Sequence, residues 1–365
     1  MKVALIILAV TAGLLLGIEV LLRVLLGFGN ALIYIPDAEC GYLLAPNQRV
    51  RRWGNRIEIN EYSMRTGAIA PLPAPDTLRV LLLGDSVANG GWWTDRTDTI
   101  SEIIARQLRL QMCPLSTNAQ LHSKVNYYCN FEVLNCSANS WGPRNQLAYA
   151  KRFGLFGALV VVLLLNTDDL FASAPCSAVV GRDRAYPDRK PLMAIIQLLN
   201  RYLIPTVPRE KLTTPVAPNE DKVGCNLEAI RQIKTAANLA NIKFVLALTP
   251  KRHELGESGP NDWEVQARSR LAELVATEKI TYIDFLPIFN SATELTIGLT
   301  KKTRFLPKIV VFFDKYSRRN RVFDPPCVSP VTSLYRDSIH LSPQGNQLVS
   351  QTISRQIVAF FDHKS

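Results

Sequence analysis

Two short clusters of chemistry-bearing residues stand far apart in the chain, Gly84-Asp85-Ser86 and Asp337-Ser338-Ile339-His340. The serine follows the apolar run Leu78 to Leu83, which reads as a buried strand. At the carboxyl end of a strand in a parallel sheet, side chains face a cleft and the next helix offers unpaired N–H groups. A serine placed there can attack a carbonyl carbon while its own N–H faces the developing oxyanion. Such a serine needs a base, and the histidines of the chain are His122, His253, His340 and His363. Only His340 has a carboxylate three positions earlier. In a tight turn Asp337 meets one imidazole nitrogen, fixes the tautomer and leaves the other nitrogen for the serine. Ser342 as N-cap and Pro343 at the first helical position predict a helix that starts directly after this turn.

Placing these residues together requires a sheet. Strand signals lie at LRVLLLGD from Leu78, FEVLNCS from Phe131, GALVVVLLLN from Gly157, IKFVLALTP from Ile242 and ITYIDFLPIF from Ile280. Helical spacing alternates with them in DTISEIIARQLRL from Asp98, PRNQLAYAKRF from Pro143, NLEAIRQIKTAANLA from Asn226 and WEVQARSRLAELVA from Trp263. Unbroken apolar strands interleaved with helices predict an α/β body, a parallel sheet covered on both faces in three layers. Residues 171–222 and 290–335 break the alternation and read as insertions, which at strand ends usually shape a substrate site.

A strand-GDS near the start of an alternating α/β body, with DxxH just before its final helix, resembles the SGNH, or GDSL, hydrolase family from about Leu78 to the end of the chain. The resemblance implies a flavodoxin-like fold and cleavage of carboxylic esters of lipids, sugars or small acyl compounds. It makes Ser86 the nucleophile, His340 the base and Asp337 its orienter. The family's second block supplies a glycine N–H to the oxyanion; NCSANSWGPRNQL places Ser140 there, with Gly142 as the rival alignment. The third block, usually GxND, reads Asn166-Thr167-Asp168-Asp169, so that Asp168 stands where an asparagine amide would donate. An ionised carboxylate accepts hydrogen bonds and repels an oxyanion. Three readings follow: Asp168 is protonated by burial, Asp168 turns away while Asn166 donates, or the chain is a silent binding or scaffold member of the family. The same triad also serves acyl transfer to a sugar hydroxyl of an envelope polysaccharide in place of water.

Residues 1–29 form a different kind of segment. Val3 to Leu22 contains a single ionisable residue, Glu19, and about twenty apolar residues in a helix match the hydrocarbon thickness of a bilayer. An uncleaved transmembrane anchor is favoured over a signal peptide, whose apolar core is shorter; the weak small-x-small site is Gly27-Phe28-Gly29. The amino terminus and Lys2 point to an N-terminus inside and a body outside the cytoplasm. Residues 30–76 then read as a membrane-proximal collar, with an arginine-rich hairpin turning at Trp53-Gly54-Asn55 and a proline linker at residues 70–76, before the body at 77–365.

The 365 residues carry 47% hydrophobic and 20% charged side chains, which excludes a largely disordered chain, and a formal net charge of +11. A basic stretch, KKTRFLPKIVVFFDKYSRRNR from Lys301, suits a membrane surface or an anionic polymer. No nucleic-acid-binding module accompanies that charge, so the expected partners are an ester-bearing glycan or lipid and the membrane itself. Seven cysteines suit an oxidising compartment without fixing a pairing. No cofactor pattern is present, and Asp168-Asp169 lacks the histidines or cysteines of a metal cluster. Gly90-Gly91-Trp92-Trp93 after the nucleophile reads either as aromatic faces for a sugar or acyl chain or as core packing.

Overall fold

The computed structural model describes residues 1–113, 128–203, 220–303 and 334–362. Most of the basic stretch from Lys301, along with His122, His363 and Cys327, lies outside the described residues. Five parallel strands form the central sheet: β5 (Thr77–Gly84), β6 (Asn130–Ser137), β7 (Val160–Asn166), β8 (Lys243–Thr249) and β9 (Thr281–Asp284). Their order is β6-β5-β7-β8-β9, which within the body is 2-1-3-4-5, the flavodoxin-like arrangement. Because the chain steps from β5 outward to β6 and then back past β5 to β7, a crevice opens at the carboxyl ends of β5 and β7.

The side chains of these strands alternate between two apolar layers. Leu81 and Leu83 of β5, with Val161, Leu163 and Leu165 of β7, enter one core; Leu78, Val80 and Leu82, with Val160, Val162 and Leu164, enter the other. All are fully buried, each contributing about 1.5–3 kcal/mol relative to exposure. The first core is covered by α4 (Pro143–Phe153), α6 (Lys222–Leu239) and α7 (Asp262–Thr277). The second is covered by α3 (Ile100–Met112), α8 (Phe285–Thr303) and α9 (Pro343–Ala359, Pro343 at its first turn). The three-layer α/β class expected from the alternating pattern is the class observed.

Two departures from the expected elements have clear causes. The run Phe285 to Phe289, expected to continue the last strand, is the start of α8: the Asp284 carboxylate accepts the Leu286 N–H at 2.9 Å and turns the chain into a helix. Pro287 is tolerated in the first helical turn, where no N–H is required. The collar packs into the body. Its hairpin β1 (Tyr34–Asp37) with β2 (Gly41–Leu44) has no counterpart in the sequence reading, and Tyr42, Leu43 and Leu44 enter the first core. The arginine-rich hairpin is β3 (Gln48–Arg52) with β4 (Asn55–Ile59), turning through Trp53 and Gly54, both at positive φ.

The N-terminal helix α1 (Lys2–Leu26) is apolar, long enough to cross a membrane and almost wholly exposed. It ends at Gly27 in the left-handed conformation, where a Cβ would lie 1.9 Å from the Arg51 carbonyl oxygen, so that only glycine allows the hairpin to press against the helix end. Within the first insertion lies α5 (Ala194–Leu203), which packs on α1.

Candidate active site

Ser86 opens α2 (Ser86–Asn89), a single turn set directly on the end of β5. The approach is close enough that a Cβ at Gly84 would lie 2.4 Å from that of Ala88. Asp85 caps the turn, its Oδ1 accepting the Val87 N–H at 2.9 Å. The following loop is fixed from the collar. The buried Arg65 guanidinium donates to the carbonyls of Asn89, of Gly91 at 2.5 Å and of Thr94 at 2.6 Å. Desolvation lowers its pKa to about 10.

The other half of the site comes from the turn before α9. Tyr335 and Leu341 form an isolated antiparallel bridge, and the Arg336 N–H donates to the His340 carbonyl at 2.8 Å. Asp337 Oδ1 accepts the N–H groups of Ile339 and His340 at 3.0 and 2.8 Å, which curls the turn around its carboxylate. Ser342 Oγ caps α9 by accepting the Gly345 N–H.

Across the end of the sheet these pieces meet. His340 Nε2 lies 2.9 Å from Ser86 Oγ, and His340 Nδ1 lies 2.8 Å from Asp337 Oδ2. With the Nδ1 proton directed at the carboxylate, Nε2 accepts the serine hydroxyl. Ser86 Oγ also lies 3.3 Å from Asp85 Oδ2, a longer contact. Burial alone would raise the pKa of Asp337, but the two backbone N–H groups and the imidazole outweigh it and hold the carboxyl below its ordinary range. The Trp93 ring packs against the imidazole, 4.7 Å between centroids and tilted by 66°, while Trp92, also half-buried, packs on the first core, so the two tryptophans after Ser86 divide between the site and the core.

Of the groups expected at an oxyanion, three are engaged elsewhere. Asp168 turns outward, its Oδ1 2.8 Å from Lys251 Nζ, with the carboxylate 43% exposed. The Gly142 N–H donates to Asn145 Oδ1 at 3.0 Å within the cap of α4. Asn166 is buried, and its Nδ2 donates to Asp85 Oδ2 at 2.7 Å and to Asp169 Oδ2 at 3.2 Å. The remaining groups are backbone. Among the described residues the N–H groups of Ser86 and Ser140 meet no acceptor. Ser140 sits at φ 57, the left-handed region that glycine occupies without strain, in the turn after β6, and is exposed.

The sequence reading weighed Asp169 only as half of a metal pair with Asp168, and did not single out Lys251, Tyr186 or Arg336. Asp169 is buried and accepts the Asn166 N–H at 2.8 Å; Tyr186 donates from its hydroxyl to Ser140 Oγ at 2.9 Å. The Arg336 guanidinium stacks 4.9 Å from Trp93 and 5.7 Å from Trp92. The available signal was position: Asp169 and Lys251 each follow the carboxyl end of a parallel strand.

No family model and no curated protein matches this chain. Among solved structures it is similar to an acetyl xylan esterase (12% identity, TM-score 0.41, covering 77% of this chain and 100% of the other). It is similar too to a catalytic mutant of an acetylxylan esterase from Geobacillus stearothermophilus (10%, 0.41, covering 79% and 96%). A GDSL-like lipase from Bacteroides thetaiotaomicron is a third (10%, 0.38, covering 80% and 93%). These are likenesses of fold, and the chemistry of the site rests on the side chains described above.

Proposed function

We propose that the chain is a membrane-tethered serine esterase of the SGNH type, acting outside the cytoplasm on acyl esters of envelope carbohydrate or lipid. The observation that carries this reading is the unbroken hydrogen-bonded line from Ser86 through His340 to Asp337 at the open end of a parallel sheet. Ser86 Oγ attacks the ester carbonyl carbon as its proton passes to His340 Nε2. The tetrahedral oxyanion is received by the N–H groups of Ser86 and Ser140. As it collapses, the imidazolium gives its proton to the departing alcohol oxygen, leaving an acyl-serine. Water then attacks with His340 again as base, and the carboxylic acid leaves. Asp337 stays ionised throughout and stabilises the imidazolium. Asn166 supports the nucleophile from beneath by holding the Asp85 carboxylate, in place of donating to the oxyanion.

Labelling with a fluorophosphonate and turnover of a p-nitrophenyl ester test this reading. Wild-type protein is expected to label at Ser86, and Ser86→Ala to abolish labelling and lower turnover by about 10⁴-fold or more. Folded wild-type protein that neither labels nor turns over would mean a silent scaffold, and labelling that survives Ser86→Ala would mean a different nucleophile. Acyl groups on an added glycan alcohol, in place of free acid, would assign transfer.

A further inference from the structure

Helix α5 presents three distinct faces. Ala194, Ile195 and Leu198 pack on α1 around Leu22, Leu26 and Phe28. Gln197 and Arg201 turn to the body: Gln197 Oε1 accepts the Gly29 N–H at 2.7 Å, and the Arg201 guanidinium lies 5.0 Å from the Trp92 ring. The third face is apolar and bare. Ile196, Leu199 and Leu203, at the i, i+3, i+7 spacing of one helical stripe, are 43%, 46% and 72% exposed, and Leu192, just before the helix, is 91% exposed.

The neighbour of this stripe is the bilayer-length helix itself. Glu19 of α1 accepts the N–H groups of Ala194 and Ile195, the free amino end of α5, at 2.8 and 3.0 Å. Arg23, paired with Glu19 at 2.6 Å, donates to the Leu192 carbonyl at 2.7 Å. The start of α5 is therefore level with the last two turns of α1, the depth at which an apolar span leaves the hydrocarbon. Exposed Arg189 and Lys190 lead into α5, and exposed Arg49 and Arg51 stand on the hairpin whose Trp53 touches Phe28. A stripe of leucine and isoleucine at that depth, rimmed by arginine and lysine, matches an acyl layer beneath anionic headgroups.

We propose that α5 is a second membrane contact, an interfacial helix lying in the leaflet that α1 leaves, with lipid as the occupant of its bare stripe. Resting on the esterase reading above, the proposal extends to substrate presentation. Arg201 lies over Trp92, Trp92 packs edge-on with Trp93, and Trp93 packs against the His340 imidazole, so three contiguous side chains join the helix in the lipid to the proposed base. The mouth of the site is thereby held at the bilayer surface, where it meets esters carried by lipid.

The test uses the full chain in phosphatidylcholine and phosphatidylglycerol liposomes that contain a diazirine-bearing phosphatidylcholine. After irradiation, adducts are expected on residues 192–203 as well as on α1. The double variant Ile196→Asp, Leu199→Asp is expected to lose about tenfold of the adducts on α5 and of the turnover of a vesicle-borne ester, while hydrolysis of soluble p-nitrophenyl acetate stays within about twofold. Adducts confined to α1, or α5 adducts undiminished in the variant, would overturn the proposal. Cross-links between two copies through α5 in place of lipid adducts would overturn it in favour of a second copy of the chain. Wild-type protein that hydrolyses no soluble ester would sink the esterase reading while leaving the lipid map to stand or fall by itself.

Discussion

Neither the carboxylate at position 168 nor the amide at position 166 takes the oxyanion part that the sequence suggests for it. Asp168 is drawn outward by Lys251, while Asn166 joins Asp85, next to Ser86, to Asp169. Asp168→Ala is therefore expected to lower ester turnover by less than about tenfold, and Asn166→Ala by about 10²-fold through misplacement of Asp85 and Ser86, as kcat on a soluble ester will show. Burial, then the nearby charge of Asp85, raises Asp169 well above the ordinary carboxyl range; burial also raises Asp85 against the pull of the Val87 N–H and the imidazole. The folded state thus holds protons that the unfolded chain releases above about pH 4, so this pair makes stability fall as pH rises from there towards the folded pKa. Asp169→Asn removes that titration, and urea unfolding at about pH 5 and about pH 8 is expected to show a smaller decline in the variant than in wild type. Asp337 has the opposite sign: its lowered pKa gives stability that persists above the ordinary carboxyl range and is lost only on acidification below it.

Loops at the ends of β5, β6, β7 and β8, together with the turn before α9, supply the site, and the collar locks the first of them. Arg65→Met removes the donor to three buried carbonyls and is expected to cost about 3 kcal/mol in urea unfolding, and to slow turnover because Trp93 rides on the freed loop. What could be read from the chain follows from which contacts are local. Strand Val160–Asn166 announces itself by seven consecutive apolar or terminal residues, and Asp337 and His340 by spacing within one turn. Phe285 to Phe289 is equally apolar as strand or helix, and a single carboxylate cap decides between them. The β1–β2 hairpin gains its stability from tyrosines packed against one another, with Tyr186, a distant partner, contacting both Tyr34 and Tyr42. Lys251 opposite Asp168 and Tyr186 on Ser140 are likewise pairings between loops far apart in the chain, which no local pattern encodes.

For the molecule as a whole the question is whether α1 stays attached. Its Glu19 and Arg23 are bonded to residues 192–195, its glycine cap is pressed under the Arg51 carbonyl, and Leu22 is buried against the body. On the proposed membrane-tethered reading these ties belong to an anchor that is kept. N-terminal sequencing of protein purified from membranes is expected to begin at residue 1 or 2, and alkaline carbonate is expected to leave the chain in the membrane pellet; a new terminus near residue 30 would argue for cleavage instead. The ties at Glu19 and Arg23 also make the junction a strut and not a leash. If the chain is tethered as proposed, a body swinging on a slack tether could sweep a thick shell of the envelope, whereas a braced one patrols a single thin plane. Esters displayed far out on a polymer would then stay untouched until the polymer itself came down to the lipid.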